Sequence, residues 1–188
     1  LVNSIAGLGG LVGIKGTDDV LDKAVKLGAH PIARQKAEEM LQQFCTFPVN
    51  HADILWVTCD GDMGNNELET VGITNKQIIY VPSESTTSAD DTKNACKKIL
   101  EASPDLLLFC GGDGTARDIF TVLDKKIPLL GIPSGVKMHS GVFGITTTAT
   151  AKMLLEFTNK RLTVGDAEIM DLDEALYRKG EWKIRLYG

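Results

Sequence analysis

This 188-residue chain lacks the spacing patterns of a metal site or a disulfide framework. Cys45, Cys59, Cys96 and Cys110 lie far apart with no Cys-x-x-Cys pair, and His30, His51 and His139 are equally scattered, so zinc has no support. Two of the cysteines fall in or beside apolar runs and read as reduced core residues, which points to a cytoplasmic protein. No apolar run approaches the ~20 residues of a membrane-spanning helix, and the opening residues carry no signal-peptide pattern. Long runs of one charge are missing too. Lys and Arg total 20 against 25 Asp and Glu, a formal charge of -5, which leaves neither a basic nucleic-acid footprint nor a polybasic membrane patch. The expected partners therefore include no nucleic acid and no membrane.

What is present is a core-forming composition, 43% apolar and 24% charged, which suits a folded domain of ordinary size and argues against disorder. Residues 53–59, 77–81, 105–110 and 127–132 are continuously apolar rather than alternating, as expected for strands of a parallel sheet covered on both faces. Leu1-Val2 reads as the stub of another strand. Helical patterns cover 31–44, 89–102, 115–123 and about 148–159, with Ser88 as an N-cap and Asp90 and Asp91 in the first turn. The alternation gives an α/β fold, a three-layer α/β/α domain with a mostly parallel sheet over residues 1–162.

After Arg161 the pattern changes. Two mixed runs, 164–172 and 182–187, flank the turn-forming Arg178-Lys179-Gly180 and read as antiparallel strands, the opening of a C-terminal β domain over 163–188. Two strands make no stable sheet alone, so a partner domain and a homo-oligomer are expected. The apolar pattern is cut at Leu1 and at Tyr187-Gly188, so we expect the protein to extend beyond both.

Ligands of doubly wound sheets sit at the carboxyl ends of the strands, where three glycine-rich loops fall: "NSIAGLGGLVGIKGTDD", "GGDGT" and "GIPSGVKMHSG". Glycine lets backbone N–H groups approach phosphate oxygens with no Cβ in the way. The first loop alone is weak, because Gly7-Leu8-Gly9-Gly10 completes neither G-x-G-x-x-G nor a G-x-x-x-x-G-K-[ST] loop. The second is more specific: Gly111, Gly112 and Gly114 surround Asp113, with Thr115 as an N-cap or first-turn hydroxyl. Asp113 in that setting can accept a hydrogen bond from a substrate hydroxyl or help bind Mg²⁺; the competing reading makes it a helix cap only.

Gly111-Gly112-Asp113-Gly114-Thr115 after an apolar strand resembles the signature shared by NAD kinases, diacylglycerol kinases and phosphofructokinases. "NSIAGLGG", "LVGIKGTDD", "GIPSGVKMHSGVFG" and "AEIMDLDEALYRKGEW" narrow it, so the chain is identified as resembling the ATP-NAD kinase family of the AcoX-like type along nearly its whole length. The resemblance implies an N-terminal α/β domain, a C-terminal β-sandwich domain and a cleft between them. It makes Asp113 the catalytic contact to the ribose hydroxyl, and Gly111, Gly112, Gly114 and Thr115 the nucleotide phosphate loop, with Asn3, Gly7, Gly9, Gly10, Gly135 and Lys137 as further phosphate-binding residues. Ser4 departs from the proline of many relatives, and the Asn-Glu/Asp nucleotide motif of NAD kinases is not found.

The implied activity is transfer of phosphate from ATP or inorganic polyphosphate, with Mg²⁺, to the 2′-hydroxyl of NAD. A diacylglycerol-type lipid kinase is disfavoured by Gly135-Val136-Lys137-Met138-His139, where lipid kinases carry Gly-Thr-x-Asn-Asp. A nucleotide-sensing protein without turnover stays open. Lys15 or Lys137 would neutralise developing charge, each set against a plain surface role. His139 reads as a hydrogen-bonding wall residue, and Asp171, Asp173 and Glu174 as solvated acids rather than a metal cluster.

Overall fold

The apolar runs become strands whose two faces are covered by helices. In a computed structural model describing residues 1–6, 32–84, 87–135, 138–173, 176, 180–181 and 183–188, β1 (Trp56–Cys59) pairs in parallel with β2 (Lys76–Tyr80), and β3 (Leu107–Gly111) with β4 (Leu129–Pro133). Leu1–Asn3 runs between these pairs. Val2 bridges Cys110 in parallel, Asn3 N–H donates to the Cys110 carbonyl at 2.9 Å, and Val2 N–H donates to the Met63 carbonyl at 3.0 Å. On the far side of β4, Gly131 forms a parallel bridge to Phe143. The pairs β1–β2 and β3–β4 are both parallel, as expected from the sequence, with the 1–3 stub bridged to β3 and 142–144 to β4.

Helices α1 (Ala33–Cys45), α2 (Asn65–Thr70), α3 (Ala89–Ala102), α4 (Asp113–Leu123) and α5 (Thr147–Thr158) complete the α/β/α sandwich. Alternate residues of β3 serve opposite layers. Cys110 joins Phe44 and Met40 of α1 and Leu154 of α5 on one face, whereas Leu107 and Phe109 join Ile99 of α3 and Ile119 and Leu123 of α4 on the other. Ser88 does cap α3, through a reciprocal box in which its Oγ accepts from Asp91 N–H at 3.2 Å while Asp91 Oδ2 accepts from Ser88 N–H at 2.9 Å.

Several boundaries move from the expected positions. The 53–59 run starts its strand only at Trp56, because His51–Asp53 forms a 3₁₀ turn, and the 77–81 run ends its strand at Tyr80, with Ile78 of β2 and Val81 just beyond it exposed, as an edge position allows. Helix α2 was not expected; its six residues follow Gly64, whose φ of 139° and close approach to Thr58 exclude a side chain there. Helix α4 begins at Asp113 rather than Thr115.

The terminal runs pair as expected: β5 (Met170–Leu172) is antiparallel to β6 (Ile184–Leu186). This hairpin packs on α4 and sends Ile169 into the core beside Ile119 and Leu123. Gly7, Gly9, Gly10, Lys15, Lys137, Glu174 and the 178–179 part of the expected turn lie outside the described residues.

Glu67 of α2 is fully buried, and neither carboxyl oxygen has a hydrogen-bond partner among the described residues. Burial pushes its pKa up, against smaller opposing pulls from its own backbone and Arg34. The folded protein therefore keeps this proton to higher pH than the unfolded chain does. Its contribution is full below the ordinary carboxyl value and is lost as pH rises through the raised folded value. Glu67→Leu should raise stability by about 1–3 kcal/mol at neutral pH, and by much less below the ordinary carboxyl pKa. Urea unfolding of both proteins across that range checks the sign.

Candidate active site

Strand β3 ends at Gly111, Gly112 is the N-cap residue with φ -108° and ψ -173°, and Asp113 is the first residue of α4. The helix N-terminus favours a carboxylate at this point. Asp113 is 4% exposed, yet it does not cap its own helix; its oxygens reach across to the loop after β4. His139 N–H donates to Oδ2 at 2.9 Å and to Oδ1 at 3.1 Å, Ser140 N–H donates to Oδ1 at 2.9 Å, and Ser140 Oγ lies 2.8 Å from the same oxygen. Asp113 therefore holds the 139–140 backbone rather than capping its own helix. His139 contributes its backbone N–H to this arrangement.

The glycines divide by cause. A Cβ on Gly111 would stand 2.5–2.7 Å from three side-chain atoms of Thr115, so this glycine is required by packing inside the protein. Gly112 has ordinary negative φ and, among the described residues, nothing within 4 Å of where its Cβ would be, so neither its backbone conformation nor a described neighbour demands glycine there. Gly114 would place its Cβ at ordinary contact distance from Asp171 and Arg117.

The other described residues of the expected site converge on the same edge. Asn3 Nδ2 donates to Thr115 Oγ1 at 2.9 Å, which puts Thr115 in the first turn of α4 rather than at its cap. Ser134 N–H donates to the Gly111 carbonyl at 3.2 Å, immediately before Gly135, and the buried Ser134 Oγ has no partner among the described residues. Ser4 Oγ meets Thr87 Oγ1 at 2.9 Å, so the loop following the stub also touches the segment after β2. The buried Cys110 thiol, pushed up to about 12 by burial, donates to the Ala33 carbonyl at 3.2 Å, a core cysteine as expected.

Two residues that sequence reasoning passed over connect the site to the hairpin. Ser140 Oγ lies 2.9 Å from the Met170 carbonyl and accepts from Met170 N–H at 3.1 Å, next to its contact with Asp113. Arg117 Nη1 pairs with Asp171 Oδ2 at 2.9 Å, and Nη2 with Asp118 Oδ1 at 3.2 Å. Burial opposes the guanidinium charge, but Asp118 and then Asp171 outweigh it and hold the pKa above the ordinary arginine value. Asp171 is thus buried and ion-paired, which corrects the expectation of a solvated acid; tertiary pairing with Arg117 offsets the burial of its charge. The signal for Arg117 was its i+4 spacing from Asp113, on the same helix face. Ser140 carried no comparable sequence signal.

A family model described as ATP-NAD kinase N-terminal domain matches residues 12–162. The chain belongs to the ATP-NAD kinase family. The match spans most of the chain and includes all of β1 to β4 with the Gly111–Thr115 loop, and the α/β architecture agrees with this family domain. No curated protein matches the chain. No described helix is long and apolar enough to cross a membrane.

For a metal in this ATP-NAD kinase domain, the described residues offer no group of three or more His, Cys, Asp or Glu side chains placed to share an ion. Asp113 is engaged by the 139–140 loop and Asp171 by Arg117.

The two glycines give a paired test. Gly111→Ala should lower stability by about 1–3 kcal/mol through its clash with Thr115, and Gly112→Ala should stay within about 0.5 kcal/mol of the parent. Thermal unfolding distinguishes them, and a Gly112→Ala protein that unfolds normally but loses nucleotide affinity locates the ligand beside Gly112.

Proposed function

We propose that the protein is a kinase that transfers phosphate from ATP, or inorganic polyphosphate, to the 2′-hydroxyl of NAD to give NADP. Support comes from one observation above others: a buried carboxylate, Asp113, sits at the N-terminus of α4, beside a Gly112 whose Cβ would meet no described residue within 4 Å. Backbone N–H groups at that helix start suit phosphate oxygens, and Asp113 suits an acceptor hydroxyl.

Phosphoryl transfer asks the protein chiefly for positioning and charge neutralisation. Gly111, Gly112, Gly114 and Thr115 line the phosphate side, and Asn3 holds Thr115 through its hydroxyl. Asp113 accepts a hydrogen bond from the acceptor hydroxyl and takes its proton as that oxygen bonds to the transferred phosphorus and the bond from phosphorus to the donor's bridging oxygen breaks, releasing ADP or the shortened polyphosphate. Mg²⁺, when bound with the donor, neutralises phosphate charge. Gly7, Gly9, Gly10, Gly135 and Lys137 extend the phosphate site in this reading. The exposed Ile184 and Leu186 of β6 support continuation of 163–188 into a C-terminal β domain and a homo-oligomer. The buried free thiols of Cys59, Cys96 and Cys110 fit a reducing cytoplasm.

Asp113→Asn in the full-length protein tests the catalytic role. Turnover per folded molecule should fall roughly 100- to 10,000-fold, with substrate affinity changed far less. Stability should fall by about 1–2 kcal/mol, because the amide NH₂ would face the His139 N–H that now donates to Oδ2. ATP-dependent NADP formation measured alongside thermal unfolding separates the two effects, and unchanged turnover rejects the role.

A further inference from the structure

Helical threonines of this fold, among them Thr70, Thr92, Thr121, Thr150 and Thr158, spend their hydroxyl protons on carbonyls three or four residues back. Thr115 does not. Its Oγ1 accepts from Asn3 Nδ2 at 2.9 Å, and the carbonyl four residues back, that of Gly111, takes the Ser134 N–H at 3.2 Å. A hydroxyl has one proton, and an accepted bond leaves that proton unspent. Among the described residues the Thr115 proton has no acceptor, although the residue is only 5% exposed. Thr115 is also the third residue of α4, whose start has no side-chain cap; Ala116 N–H is the first of the helix to meet a carbonyl among the described residues, that of Gly112 at 3.0 Å. The unspent proton thus shares a turn with backbone N–H groups that also need an acceptor.

We propose that Asn3 is a positioning residue that acts on the phosphoryl donor through Thr115. Asn3 is itself fixed from β3, because its backbone N–H donates to the Cys110 carbonyl at 2.9 Å, and Thr115 Oγ1 is packed against Gly111. By donating to Oγ1, the Asn3 amide makes that oxygen an acceptor on the stub side and keeps the hydroxyl proton for a phosphate oxygen bound by the first turn of α4. An ionised phosphate oxygen accepts and cannot donate, so the direction of this one proton decides whether Thr115 holds the ligand. This inference rests on the reading of the α4 start as the phosphate site, and it turns Asn3 from a direct phosphate ligand into the support of one.

The test is a double-mutant cycle on ATP affinity, measured calorimetrically with the full-length protein. Thr115→Val keeps the shape and removes the hydroxyl, and should weaken ATP binding about 5- to 20-fold, whereas Asn3→Ala should weaken it about 3- to 10-fold. In the Thr115→Val background Asn3→Ala should cost less than about twofold more. Thr115→Ser restores the hydroxyl alone, and should bring back both the affinity and the sensitivity to Asn3→Ala. Asn3→Leu, close to asparagine in shape, takes the place of the alanine variant if that protein does not fold. An equal loss from Asn3→Ala with and without the Thr115 hydroxyl means that Asn3 touches the ligand or shapes the site by itself, and overturns the proposal. An Asn3→Ala protein that folds and binds ATP as tightly as the parent overturns it too. A parent that binds no ATP rejects the phosphate reading, and this inference with it.

Discussion

The carboxylate of Asp113 is the tie on which the carboxyl edge of this sheet depends. Burying an aspartate without donors would cost several kcal/mol, so the chain must bring polar hydrogens to it. They come from a segment 26 and 27 residues away, the backbone of His139 and Ser140. Closing the loop after β4 over the start of α4 and satisfying the buried acid are one event. The same Ser140 hydroxyl then grips Met170, so the first strand of the hairpin is docked against the group that faces the substrate in our reading.

A second layer of support comes from close backbone approach. Gly111 lies against Thr115, and Gly131 has Phe143 where a side chain would stand. These contacts let α4 start directly under β3 and let 142–144 extend the sheet beyond β4. Phe109 and Phe143 meet edge to face at 5.4 Å, which fills the space that the missing side chain leaves. The stub Leu1–Asn3 completes the arrangement by joining the β1 and β3 sides of the sheet and delivering Asn3 to Thr115.

How much of this was legible differs by interaction range. The continuous apolar runs foretold β3 and β4, and Ser88 with Asp91 foretold the start of α3, because burial on both faces and helix capping are local properties of a few neighbouring residues. The glycine-bracketed Asp113 was readable for the same reason. Helix α2 was missed because it is short and polar, held by a turn at Gly64 rather than by an apolar stripe. Asp171 was misjudged because an acid in a strand-end pattern looks solvated until its partner is known.

By itself, then, the sequence determined the α/β alternation and the place of the Gly111 to Thr115 loop between β3 and α4, since each depends on residue type and spacing within a short stretch. Only the tertiary structure decided what Asp113 touches in the folded chain, that Arg117 neutralises Asp171, and that Ser140 sits between Asp113 and Met170. Those contacts join residues 26 to 54 positions apart, and a hydrogen bond at 2.8 Å depends on how whole elements pack, which no local pattern encodes.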